Sequence, residues 1–212
     1  MSYSQFTLQK VVRDFELTVY EGIRFFPELS PVEPSELLDA FLAQSIPVAV
    51  ATGSEKARSE GIIYPILLEI KRLFHQQISF FSGEEFNVDD ALGLNGVCDF
   101  LISRSPEQLF IQAPAVVIVE AKKSDLKSGL GQCVAEMIAA QKFNESQQSP
   151  GTIYGCVSSG TQWRFLKLDK QDLSIDLTDY PLPPAGQILA FLAWMTDADA
   201  FQSLQAQQPI AL

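Results

Sequence analysis

Three ionisable residues stand where their spacing could do chemistry. Asp99 lies inside the apolar run GVCDFLI at 96–102, and Glu120 and Lys122 close the run VVIVEAK at 116–122. Both runs read as β-strands. Alternation along a strand puts residues i and i+2 on one face, so Glu120 and Lys122 point together while Ala121 points away. Two carboxylates and a lysine gathered on one sheet are costly unless something compensates them. A divalent cation and a phosphate would do so, and the chemistry they imply is metal-assisted hydrolysis of a phosphodiester.

The rest of the chain must position these groups. Its 212 residues fit a single domain, and a hydrophobic content of 47% with a mean hydropathy of +0.10 supports a large core. No apolar run reaches the ~18–20 residues of a membrane helix, and MSYSQF lacks the basic start of a secretory signal. Cys98, Cys133 and Cys156 are an odd, scattered set, expected as buried free thiols in a reducing cytoplasm rather than as bridges or a zinc site. The net charge of −11 argues against a dedicated DNA binder, whose affinity comes largely from phosphate neutralisation. A catalytic site can escape this by confining basic residues to one cleft.

Thr7 caps an expected helix over 8–15, followed by a strand at 17–20. Pro27, Pro31 and Pro34 mark a loop, and Ser35 opens a helix over 36–44. Residues 47–50 read as a short extended piece. A long helix follows over 55–77, its apolar Ile62, Ile63, Ile66, Leu67, Ile70, Leu73 and Phe74 on one face, with Pro65 predicting a kink or a new start. Strands are expected at 78–88, 94–104 and 114–121, a helix at 126–144, and strands at 152–158 and 161–168 joined by a hairpin at Ser159-Gly160. A further strand at 172–178 and an apolar helix at 185–196 complete the reading. The order implies an α/β fold, a mixed sheet flanked by helices.

Asp99, the aliphatic run into Glu120-x-Lys122, and the helix just after it resemble the PD-(D/E)XK nuclease superfamily, the restriction-endonuclease-like fold. The likeness covers 55–168, with 1–54 and 169–212 as N- and C-terminal extensions of one domain. Cys98-Asp99 replaces the family's Pro-Asp. The resemblance implies that Asp99 and Glu120 ligate Mg²⁺, with Mn²⁺ as an alternative ion, and that Lys122 orients or activates the attacking water. It also implies a third carboxylate from the first long helix, for which Glu55, Glu60 and Glu69 compete and Glu60 is favoured. A glutamine on the following helix, Gln132 with Gln141 as second choice, would reach phosphate or water.

The remaining motifs read as structural. His75, the single histidine, is expected at the surface near a helix end. Lys127 and Arg164 could contact a nucleic-acid backbone, Lys123 faces away, and Trp163 and Phe165 are expected to pack. The resulting expectation is a cytoplasmic Mg²⁺-dependent nuclease acting on DNA. A homodimer is expected through apolar helical surface outside the core, the 185–196 helix included. The alternative is a catalytically inactive nuclease-fold protein that serves binding or assembly.

Overall fold

A computed structural model describes residues 2–207. A 3-10 turn (Tyr3–Gln5) and α1 (Leu8–Asp14) lead into β1 (Thr18–Glu21). Next come α2 (Glu36–Thr52), α3 (Glu55–Arg58) and α4 (Tyr64–Leu73), the last two joined by a π-helical turn over Ser59–Ile63. Strands β2 (Ser79–Glu85), β3 (Val97–Ser103) and β4 (Ala115–Ala121) follow, and α5 (Leu126–Ser146) crosses over to β5 (Ile153–Ser158). The chain continues through β6 (Gln162–Asp169), β7 (Asp172–Ile175), β8 (Tyr180–Pro181), α6 (Gly186–Thr196) and α7 (Ala198–Gln207).

The strands form one mixed sheet in the order β1-β7-β6-β5-β4-β3-β2, with β8 beside the start of β6. β2, β3 and β4 are antiparallel neighbours, β4 and β5 run parallel, and β5–β6–β7 is again antiparallel. A parallel pair needs a long crossover, and α5 supplies it. Every residue of β4 is buried. Its near-continuous apolar run is what a central strand covered on both faces requires. One face is covered by α5, α1 and the N-terminal turn, through residues such as Tyr3, Phe6, Leu130, Val134 and Met137. The other is covered by α2, α4 and α6, whose Leu38, Ile66, Ile70 and Phe191 share one core with Phe100 and Trp163 of the sheet.

Three expectations change, and at Pro65 one of the two expected alternatives holds. The extended piece at 47–50 is helical: α2 runs through Pro47, because Leu38, Leu42 and Ala49 are buried along one stripe, and Gly53 ends it at a φ of 65° with its N–H on the Ala49 carbonyl. Packing of that stripe outweighs the hydrogen bond that Pro47 removes. Pro65 marks a new start, lying in the first turn of α4 just after the π-helical turn. The segments 1–54 and 169–212 are integral to the fold, since they contribute β1, β7, β8 and α6 to the same sheet and layers. The apolar 185–196 helix cannot serve self-association, because Ile188 through Ala193 of α6 are buried in the chain's own core. Apolar surface lies instead on α2 and α4, where Leu37, Phe41, Val48, Tyr64 and Leu68 are exposed. Among the described residues no helix is long and apolar enough to cross a membrane. All three thiols are buried and unpaired.

Candidate functional site

The β3–β4 ladder runs out at the pair Phe100–Val119. One step further, Asp99 and Glu120 stand opposite each other, and the Asp99 side chain takes over the role of the ladder. Its Oδ2 accepts the Ala121 N–H at 2.8 Å. On the other flank the β4–β5 ladder continues through Glu120–Val157 and Ala121–Ser158, and the Lys122 N–H donates to the Ser158 carbonyl at 2.8 Å. The end of β4 is therefore held on both sides, and its alternation turns Glu120 and Lys122 toward α5.

Glu120 is 0% exposed, and its Oε1 is bonded by the Lys122 ammonium, which reaches the surface. Its second oxygen, Oε2, is buried with no hydrogen-bond partner among the described residues. Burial, and then the charge of Asp99, push the Glu120 carboxyl up to about 8, and the Lys122 ammonium offsets this only in part. Burial works against the charge on Lys122, but Glu120 outweighs it and raises the ammonium above its ordinary value.

Helix α5 forms the opposite wall. Asp125 caps it by accepting the Lys127 N–H at 3.0 Å. A Cβ at Gly129 would lie 2.7 Å from Val157 Cγ1 and 3.0 Å from Lys122 Cγ, so only glycine lets the helix close over the lysine stem. Gln132 lies three residues on, half-buried, and its Nε2 donates to Glu136 Oε1 at 3.1 Å. Glu136 is fully buried, its Oε2 has no partner, and burial followed by the Glu120 charge raises its carboxyl well above the ordinary range. Sequence reasoning missed Glu136. The available signal was a single acid inside the run Val134-Ala135-Glu136-Met137-Ile138, four residues after a glutamine already singled out.

The structure thus brings together Asp99, Glu120 and Lys122, with Gln132 on the facing helix. It does not bring Glu60. That side chain is 68% exposed, pairs loosely with Lys56 at 3.7 Å, and lines grooves between α2 and α4. The π-helical turn is the reason: it contains one extra residue, which offsets everything before it by about 100° from the phase of α4. Of the three competing carboxylates, Glu55 is the one whose charge reaches Glu120 and Lys122. Glu69 is structural. Its oxygens accept the Ser35 N–H at 2.9 Å and bond Arg72 at 2.7 Å, tying α4 to the start of α2.

Gln141 bonds Glu145 at 3.3 Å, on the C-terminal half of α5, and is remote from Lys122. Arg164 shares the row Glu120–Val157–Arg164 across the sheet but is bound to Asp179 at 2.8 Å. Arg58 donates to the Ser159 carbonyl at 2.9 Å, next to the residue that receives Lys122. Lys123 and Lys127 are exposed, the latter on the first turn of α5 beside its cap Asp125. His75 is exposed beyond α4, and Trp163 and Phe165 are buried, as expected.

Asp99 and Glu120 are the residues that could hold a cation. Among the described residues no group of three or more His, Cys, Asp or Glu side chains is placed to hold a metal ion. Comparison with known proteins finds no matching family model, no matching curated protein and no matching solved structure.

Proposed function

We propose that the protein is a Mg²⁺-dependent nuclease of restriction-endonuclease-like fold that hydrolyses phosphodiester bonds of DNA. One observation carries the reading. Asp99, Glu120 and Lys122 converge where two ladders end, and the buried Glu120 Oε2 has no partner among the described residues. An unpaired buried carboxylate oxygen is unfavourable in isolation, and a cation bound there would satisfy it. The order of helix, three antiparallel strands, crossover helix and parallel strand adds support.

Asp99 and Glu120 would hold Mg²⁺ or Mn²⁺, each keeping one carboxylate oxygen without a hydrogen bond among the described residues. Such an ion would supply charge that acidifies a water and stabilises the negative phosphate. The chain's own groups do the rest. Lys122 has three N–H donors, of which Glu120 takes one, leaving others to hold the attacking water or a phosphate oxygen. Water adds to phosphorus, the P–O bond to the leaving sugar oxygen breaks, and a phosphate monoester and a hydroxyl result. Arg58, Lys123 and Lys127 provide local attraction for the backbone in a chain that is acidic overall.

The test is cleavage of plasmid and single-stranded DNA with Mg²⁺ or Mn²⁺, wild type against Lys122→Ala. Activity should vanish in chelator. Loss of the lysine should reduce turnover by about 10²-fold or more while the fold survives. A wild type inert across metals and substrates overturns the proposal. A second reading, a nuclease-fold module for binding or assembly, is favoured by the exposed apolar side chains Leu37, Phe41, Val48 and Leu68 on the α2–α4 face.

A further inference from the structure

We propose that Glu136 is a positioning residue of this site, acting by anchoring the side-chain amide of Gln132 so that its carbonyl oxygen is presented in a fixed direction to the attacking water. The assignment rests on the nuclease reading and deepens it.

Glu136 has no structural reason to be an acid. Its neighbours Val134, Ala135, Met137, Ile138, Ala139 and Ala140 are all buried, and a leucine there would fill the same layer without a polar atom to satisfy. Among the described residues its one hydrogen-bond partner is Gln132 Nε2 at 3.1 Å, and its other oxygen has none. The partner is informative. Residues 129, 132, 133 and 136 follow one inward stripe of α5. At one end of this stripe Gly129 lies against the Lys122 stem, and in its middle Cys133 Sγ reaches the Cys156 carbonyl at 3.7 Å. Gln132 therefore sits on the same stripe as the glycine that touches the lysine.

The amide has two ends. Its nitrogen is anchored inward on Glu136, whereas Oε1 makes no hydrogen bond among the described residues and is not buried. What the pair offers to solvent is an acceptor. A water between Lys122 and Gln132 would accept from the ammonium and donate to this oxygen, which orients a lone pair toward phosphorus. Groups that orient a reactive side chain from behind are commonly worth about 10–100-fold in activity.

The experiment measures kcat and KM for metal-supported cleavage by the full chain and its Q132A, E136L, E136Q and Q132A/E136L variants, with melting temperatures alongside. E136L should lower kcat about 10–100-fold with KM within about twofold. E136Q, whose carbonyl still accepts the Gln132 N–H, should stay within about threefold of wild type. The double variant should be no slower than Q132A beyond about twofold, because one residue acts through the other. If E136L does not fold, the swapped pair decides: Q132E should lose turnover, and Q132E/E136Q, which rebuilds the bond in reverse, should regain about tenfold. Full activity in E136L, multiplicative losses in the double variant, or no regain in the swap overturns the assignment alone. A wild type that cleaves neither DNA overturns the nuclease reading and the assignment with it.

Discussion

Gly129→Ala separates the geometry of the site from the stability of the fold. The new methyl would lie 2.7 Å from Val157 Cγ1, 3.0 Å from Lys122 Cγ and 3.1 Å from Lys122 Cε. Carbon pairs settle at about 3.5–4.0 Å, so the valine contact falls about 1 Å short and the lysine contacts about 0.5–1 Å short. Val157 is fixed in β5, so the helix and the lysine stem must yield. Overpacking of this size costs about 1–3 kcal/mol. Replacing glycine inside a helix returns about 1 kcal/mol. The net loss should be about 0–2 kcal/mol, and at this chain length each kcal/mol moves Tm by about 2–4 °C. Turnover should fall much further, since about 1 Å of misplacement at a reacting group can cost about 10²-fold. Thermal melts and cleavage rates on the same preparation test this. A variant that melts higher than wild type and cleaves at the wild-type rate would refute the close approach of α5 to Lys122.

Glu120→Gln should stabilise the metal-free protein at neutral and alkaline pH. The folded carboxyl is raised to about 8, so wild type keeps this contribution below the ordinary glutamate value near 4.5 and loses it as pH rises toward 8. Denaturation from pH 4 to 9 should show the variant's advantage growing across that window; a constant difference would be the contrary result. Asn144→Leu should lose about 2–4 kcal/mol, because the buried amide accepts the Ala115 N–H at 2.9 Å and donates to the Ala115 carbonyl at 2.7 Å, and both would be orphaned. Urea unfolding reads this directly, and a loss under 1 kcal/mol would count against it. If the expected homodimer forms, it should close over α2 and α4, where Leu37 is 80% exposed. Light scattering at micromolar concentration should then give twice the chain mass for wild type and a monomer for the Phe41→Asp, Leu68→Asp pair; a monomeric wild type removes the dimer.

Much of the fold was legible because its signals are local and repeated. The aliphatic run into Glu120 reads as a buried strand, the Ser159-Gly160 turn as a hairpin, and the alternation of Glu120 with Lys122 as a shared face. The misreadings arose where distant packing decides. Pro47 reads as a break until the stripe Leu38, Leu42, Ala49 finds α4 to press on. Glu60 reads as a site residue on a regular helix, and one extra residue in the turn at 59–63 carries it to the outside. Glu136 offers only the local signal of an acid inside an apolar helical run, and nothing local places it beside Glu120. The apolar α6 reads equally well as a surface for a partner or as core, and periodicity alone does not tell them apart.

The pairing of β1 with β7 bears on how the chain is made. Thr18 registers with Asp172 and Glu21 with Ile175, so the strand synthesised first waits for a partner near the other end of the chain. Such distant contacts raise the contact order and slow folding. While translation is in progress β1 has no ladder to join, and an unpaired strand is an invitation to another chain. Its four-residue length keeps that invitation weak. A nascent chain halted before residue 172 should therefore leave its N-terminal strand free to pair with a neighbour, and the sheet closes at this edge only after synthesis has passed β7.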